Sequence, residues 1–110
     1  MRRIKNITRN TVVSKSFVKA KGFRNKILGL MGDTSSGSLF IETRFGIHTF
    51  GMKVPLDVVI LNDEDKVVKI KEDLMPGKIF VWNPKYKKIL ELPQGSITKS
   101  KTIVGDKISF

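Results

Sequence analysis

Cysteine is absent from this chain of 110 residues, and histidine, tryptophan and tyrosine occur once each. Each shortage closes off some chemistry. Without cysteine there is no disulfide framework, no thiolate metal site and no cysteine nucleophile, and the composition fits a reducing compartment. No stretch approaches the roughly 18 apolar residues that a membrane helix needs. The opening "MRRIKN" is basic but has no apolar segment behind it, so it does not read as a signal peptide. The expectation is a soluble, cytoplasmic monomer with no cofactor, no metal and no membrane partner. The Asn6-Ile7-Thr8 sequon then has no meaning.

Motifs for common reactions are missing too. "GLMGDTSSG" (29–37) lacks the lysine-serine end of a P-loop. No Ser-His-Asp order with a nucleophile elbow is visible, nor any spaced set of metal ligands.

Negative charge is scarce where the chain starts. Residues 1–32 hold Arg2, Arg3, Lys5, Arg9, Lys15, Lys19, Lys21, Arg24 and Lys26 and no acid, the first being Asp33, whereas the whole chain carries a net charge of +11. Two readings follow: a surface for nucleic acid or another polyanion, or a solvated basic face that keeps the protein soluble. Richness in lysine beside five Asn and one Gln is a thermophile-like balance.

What is present is β-forming. "TVVSKSFV" (11–18) reads as a strand that continues one begun near Ile4. In 21–31 the period changes, and Phe23, Ile27, Leu30 and Met31 recur as one stripe of a short helix. Gly22 and Gly29 limit that helix. "GDTSSGS" (32–38) is a loop, "LFIE" (39–42) a strand, and "NDED" (62–65) the turn of a hairpin between "DVVIL" and "KVVKIK". "ILELP" and the closing "KISF" add two short strands. The fold class is mainly β (α+β): a compact antiparallel barrel or sandwich of about seven or eight short strands, with one short helix near residues 21–31. One domain spans 1–110, with residues 1–10 either a mobile basic arm or the first strand.

The stretch "GIHTFGMKVPLDVVIL" (46–61) holds the single histidine. Gly46, Gly51 and Pro55 argue against a helix. On a straight strand His48 and Met52 would stand about 13 Å apart, too far to share a metal unless a bulge at Gly51 folds the strand. Period two would put His48, Phe50 and Met52 on one face and Thr49 and Gly51 on the other. His48 is then either a packed ring or a pocket residue available as acid, base or donor. Asp57 is either a turn residue bonded to nearby amides or a buried acid paired with Lys53 or Arg24. Glu91, between two leucines, faces the opposite side of its strand from them. Asp106 shapes a turn, and Trp82 and Tyr86 form a satellite core or a stacking platform.

Taken together, "GLM" (29–31), "LFIE", "IHTFGMKVPLDVVIL", "LELPQG" and "VGDKI" resemble the domain-of-unknown-function family 192, also called uncharacterised protein family 0127. The resemblance covers roughly residues 12–110. It is closest to a subgroup, often archaeal or thermophilic, with histidine where many members carry tryptophan, which argues against His48 as an obligatory catalyst. The arginine that often follows "GLM" is replaced by Gly32-Asp33. The family implies a compact, mostly β domain with one short helix, and its biochemical role is not established. Three readings remain: a binding module whose shallow pocket is lined by His48, Met52, Lys53, Asp57 and Glu91; a polyanion binder using the basic N-terminal third; or a small hydrolase or isomerase pairing His48 with a carboxylate such as Asp57.

Overall fold

The computed structural model describes residues 3–20, 38–44 and 46–110. The helix expected near 21–31 lies outside them. Ten strands are described: β1 (Ile4–Asn6), β2 (Thr11–Ser14), β3 (Phe17–Ala20), β4 (Ser38–Glu42), β5 (Ile47–His48), β6 (Leu56–Leu61), β7 (Val67–Leu74), β8 (Ile79–Phe80), β9 (Lys88–Pro93) and β10 (Ile108–Ser109). One short helix, α1 (Ser96–Ser100), follows β9. Residues 4–6 are therefore a first strand.

The centre is a five-stranded sheet in the order β3-β4-β9-β6-β7. Its pairs are antiparallel except β3–β4, which is parallel from Phe17↔Ser38 to Ala20↔Ile41. All six residues of β6 are buried, which is why "LDVVIL" reads as a nearly unbroken apolar run: both faces of the sheet are covered. Leu56, Val58 and Ile60 join Leu39, Ile41 and Ile89 on one side, against Ile47, Met52 and Trp82. Val59 and Leu61 join Phe40, Leu90 and Leu92 on the other, against Ile4, Val13, Ile97 and Ile108.

The second face is covered by α1 and a three-stranded sheet, β10-β1-β2. The first is covered by a two-stranded ribbon, β5-β8, and the loop that follows it. In that loop Trp82 is buried and its indole donates to the Tyr86 carbonyl at 2.8 Å. Trp82 belongs to the main core of this face and Tyr86 packs against it, so the pair is neither a satellite core nor a stacking platform. The sheets are stacked and do not close on themselves, which makes the fold a mainly β sandwich.

The stretch 11–18 is not one strand. It breaks at Lys15-Ser16, β2 staying in the outer sheet and β3 entering the central one. The Ser14 hydroxyl donates to the Ser16 carbonyl at 3.0 Å and meets the Ser38 hydroxyl at 2.6 Å, which fixes this corner. The 62–65 hairpin forms as expected. Asn62 Oδ1 accepts the Glu64 and Lys66 amides, and Asp65 adopts φ 63°, a left-handed turn conformation that aspartate tolerates.

Candidate functional site

The segment holding His48 does not run straight. β5 ends at His48, and the Met52 amide donates to the Thr49 carbonyl at 3.1 Å, closing a turn through Phe50 and Gly51. Gly51 has φ 85°, a conformation costly for a side chain with Cβ. Period two therefore fails: His48 is half-buried, Thr49 buried, Phe50 exposed and Met52 buried. The expected shared face of His48, Phe50 and Met52 is not formed. Phe50 instead folds back to stack on His48, ring centroids 5.1 Å apart and planes at 27°, and Met52 packs in the core. His48 Nδ1 is buried with no hydrogen-bond partner among the described residues.

Thr49, given no role by sequence reasoning, holds this turn. Its hydroxyl donates to the Met75 carbonyl at 2.7 Å and accepts the Lys78 amide at 2.8 Å. Its own amide donates to the Lys78 carbonyl at 2.9 Å, and its carbonyl accepts the Gly77 amide at 3.0 Å. A buried hydroxyl needs such partners. They splice the 46–52 segment onto the loop before β8.

The five pocket candidates are not gathered by one feature. Met52 is core, and Lys53 is exposed. Asp57 and Glu91 are both buried, but on opposite faces of the central sheet, since Asp57 alternates with the Leu56 face and Glu91 with the Leu90 face. Asp57 Oδ1 accepts the Asp73 amide at 3.1 Å, and its Oδ2 accepts the Ile97 amide at 3.0 Å. α1 starts after Gly95 and has no side-chain cap of its own, so Asp57 supplies one from β6. It is bonded to amides and not paired with Lys53. Glu91 does face away from its flanking leucines.

Asp106 is a second polar centre. Its Oδ2 accepts from Asn6 Nδ2 at 2.8 Å, Arg9 Nε at 2.8 Å and the Ile103 amide at 3.1 Å. Burial pushes its carboxyl up, but the bonds from Asn6, Ile103 and Arg9 outweigh it and hold the group below the ordinary aspartate range. Asn6 is fully buried and also reaches Thr102 Oγ1 at 3.1 Å.

This centre ties together a layer of one charge sign. β1, β2, β10, α1 and their turns carry exposed Arg3, Lys5, Arg9, Lys15, Lys99 and Lys101, with half-buried Lys107. The lone side-chain carboxylate within residues 3–16 and 96–110 is Asp106, buried and bonded to Arg9. Lys107 is engaged with the Glu64 carbonyl. Among the described residues, Arg3, Lys5, Lys15, Lys99 and Lys101 make no ion pair. Glu72 marks the border, accepting the Thr98 hydroxyl at 2.6 Å. Lys19 departs to the central sheet, where its ammonium lies 5.8 Å from the centre of the Phe40 ring. Arg2, Lys21, Arg24 and Lys26 lie outside the described residues. The sequence located the first half of this layer and missed Lys99, Lys101 and Lys107.

Among the described residues no three potential ligands of the His, Cys, Asp or Glu type converge on a metal-sized site, and no helix is long and apolar enough to cross a membrane.

Two solved structures share the fold. A protein of unknown function from Novosphingobium aromaticivorans DSM 12444 superposes with a TM-score of 0.78 at 16% identity, over 98% of this chain and 82% of that one. A protein from Sinorhizobium meliloti 1021, provisionally named a transcription regulator, gives a TM-score of 0.72 at 16% identity, over 97% of this chain and 89% of that one. Comparison with curated proteins finds no match. The family whose motifs were recognised above matches residues 5–110, nearly the whole chain, and the chain therefore belongs to that family, DUF192, described as "Uncharacterized ACR".

Proposed function

We propose that this protein binds the phosphate backbone of nucleic acid through the layer built from β1, β2, β10 and α1. The observation that carries this reading is the segregation of charge: five cations without an ion pair among the described residues, and a single carboxylate that is buried and bonded to arginine. A solvated face that serves solubility alone has no need to exclude acids. The strands and helix of this layer present no exposed aromatic ring for stacking bases, so backbone charge, not base readout, supplies the affinity. The provisional name of the Sinorhizobium meliloti neighbour accords with such a partner, although a likeness at this identity speaks to fold and not function.

The pocket reading is weaker because Asp57 is taken up by two amides on the far face of the sheet. A His48–Asp57 acid–base pair fails for the same reason.

The test is fluorescence anisotropy with a labelled duplex across a salt series. If five phosphates are neutralised, log Kd against log salt has a slope magnitude of about 4.5 on duplex DNA. Lys5→Glu combined with Lys101→Glu is expected to abolish measurable binding, whereas Lys69→Glu on the opposite side of the molecule leaves it nearly unchanged. Absence of salt-dependent binding by the wild type at about 50 mM salt overturns the reading.

A further inference from the structure

The other side of the central sheet presents an apolar ribbon. Phe50 is 50% exposed, Met75 51%, Ile79 68% and Val81 59%. They are not scattered. Ile79 lies directly opposite His48 in the β5–β8 register, and cross-strand partners point to the same face. Phe50 stacks on His48, and the Thr49 hydrogen bonds draw the Phe50 turn against Met75 and Lys78. Contiguous exposed apolar side chains of this size mark an interaction site more often than chance surface.

The rim of the ribbon is cationic. Lys71 and Lys78, with Leu74, Met75, Ile79 and Phe80, line an open groove of about 350 Å³. The Lys69 ammonium lies 5.0 Å from the centre of the Phe80 ring, and Lys53 is exposed beyond the turn. The carboxylate in the groove is Asp73, whose Oδ1 accepts from Gln94 at 2.9 Å. Glu72 points to the other side of the sheet, to Thr98. An apolar strip edged by lysines is complementary to a chain that alternates apolar and acidic side chains. A second copy of this protein would bring lysines against lysines.

We infer that the β5–β8 ribbon is a docking face for an acidic amphipathic segment of a partner protein. Its apolar side chains pack on Phe50, Met75 and Ile79, and its carboxylates meet Lys71 and Lys78. His48 lies beneath Phe50 and sets the position of that ring, which gives the single histidine a place in recognition with no catalytic step.

The experiment is anisotropy with the full chain and three labelled synthetic peptides. One alternates Glu with Leu and Phe; the second replaces Leu and Phe with Ser; the third keeps Leu and Phe but replaces Glu with Lys. The expected result is saturable binding of the first alone. Ile79→Asp, and Lys71→Glu combined with Lys78→Glu, should each weaken it by about tenfold or more. Lys5→Glu combined with Lys101→Glu should not. Ile79 is too exposed for its replacement to unfold the protein, and an unchanged melting curve checks this. The inference is overturned by equal binding of the Ser peptide, by an equal loss in the Lys5/Lys101 variant, or by no saturation at about 100 µM. It is also overturned by a wild-type dimer that Ile79→Asp splits, or by anionic vesicles binding the ribbon where the peptide does not.

Discussion

Asp57 and Glu91 lie on neighbouring strands, Asp57 in register with Leu92 and Glu91 with Val58, yet they face opposite sides of the central sheet. One step of register separates a carboxylate that caps a helix from one sunk among Leu39, Val58 and Ile89. The sheet itself stands between Asp57 and the β5–β8 layer that holds His48. Any chemistry that recruits both would have to act through a packed wall.

The cap role of Asp57 is open to direct measurement. Asp57→Ala leaves the Asp73 and Ile97 amides without their acceptor, at a cost of about 2–4 kcal/mol. Asp57→Asn keeps one acceptor oxygen and should lose less. Urea denaturation of the three proteins checks the order, and a loss below about 0.5 kcal/mol for Asp57→Ala would remove the assignment.

Asp106 makes stability depend on acid. Its carboxyl titrates below the ordinary range in the folded chain, whereas the unfolded chain takes up that proton near pH 3.9, to within about a unit. The unfolded state thus binds the proton first as pH falls. The stabilisation is complete above the unfolded value and is lost as pH drops through the folded one. The stability gap between wild type and Asp106→Asn should narrow steadily on acidification from about pH 5 to about pH 2. A gap that stays constant would show that the charge on Asp106 contributes nothing.

Thr49→Val keeps the shape of the side chain and deletes its hydroxyl. The Met75 carbonyl and the Lys78 amide both lose a partner, for a cost of about 1–3 kcal/mol. The Lys78 amide should also exchange its hydrogen faster. Peptide binding at the ribbon should fall in parallel, because two of the four bonds that hold the Phe50 turn to the loop before β8 are lost. Unchanged Lys78 exchange would sink this account.

Local chemistry was legible in the sequence, and partners distant along the chain were not. The 62–65 hairpin could be read because Asn62 and Asp65 satisfy the turn from within it. The burial of β6 showed in its unbroken apolar run. The break at Lys15-Ser16 did not show, because β-branched composition continues across it while sheet membership is set by Ser38 and Asn6 elsewhere. Asp57 could be read either as a turn residue bonded to nearby amides or as a buried, paired acid; it is buried and bonded to amides, but these lie 16 and 40 positions away. The strand reading of 47–52 failed because a glycine turn through Gly51 outweighed the β-branched residues before it. The basic layer was half visible: the acid-free opening stood out, whereas a plain charge count treats Asp106 as exposed and so hides the C-terminal half.

The outer sheet joins the two ends of the sequence. Asn6 and Asp106 meet across a separation of 100 residues, and β1 has no complete set of hydrogen bonds until β10 arrives. Contacts of such long range close late and slowly. During synthesis the cations of β1, β2 and their turns emerge before β10, carried on a chain that cannot yet present them as a surface. Arg9 and Asn6 lack their Asp106 partner until that residue is made, and only then do the early cations share one surface with Lys99 and Lys101. The polyanion binding proposed above would therefore depend on completion of the fold, and a folding intermediate with β10 undocked would carry the same residues without the same surface.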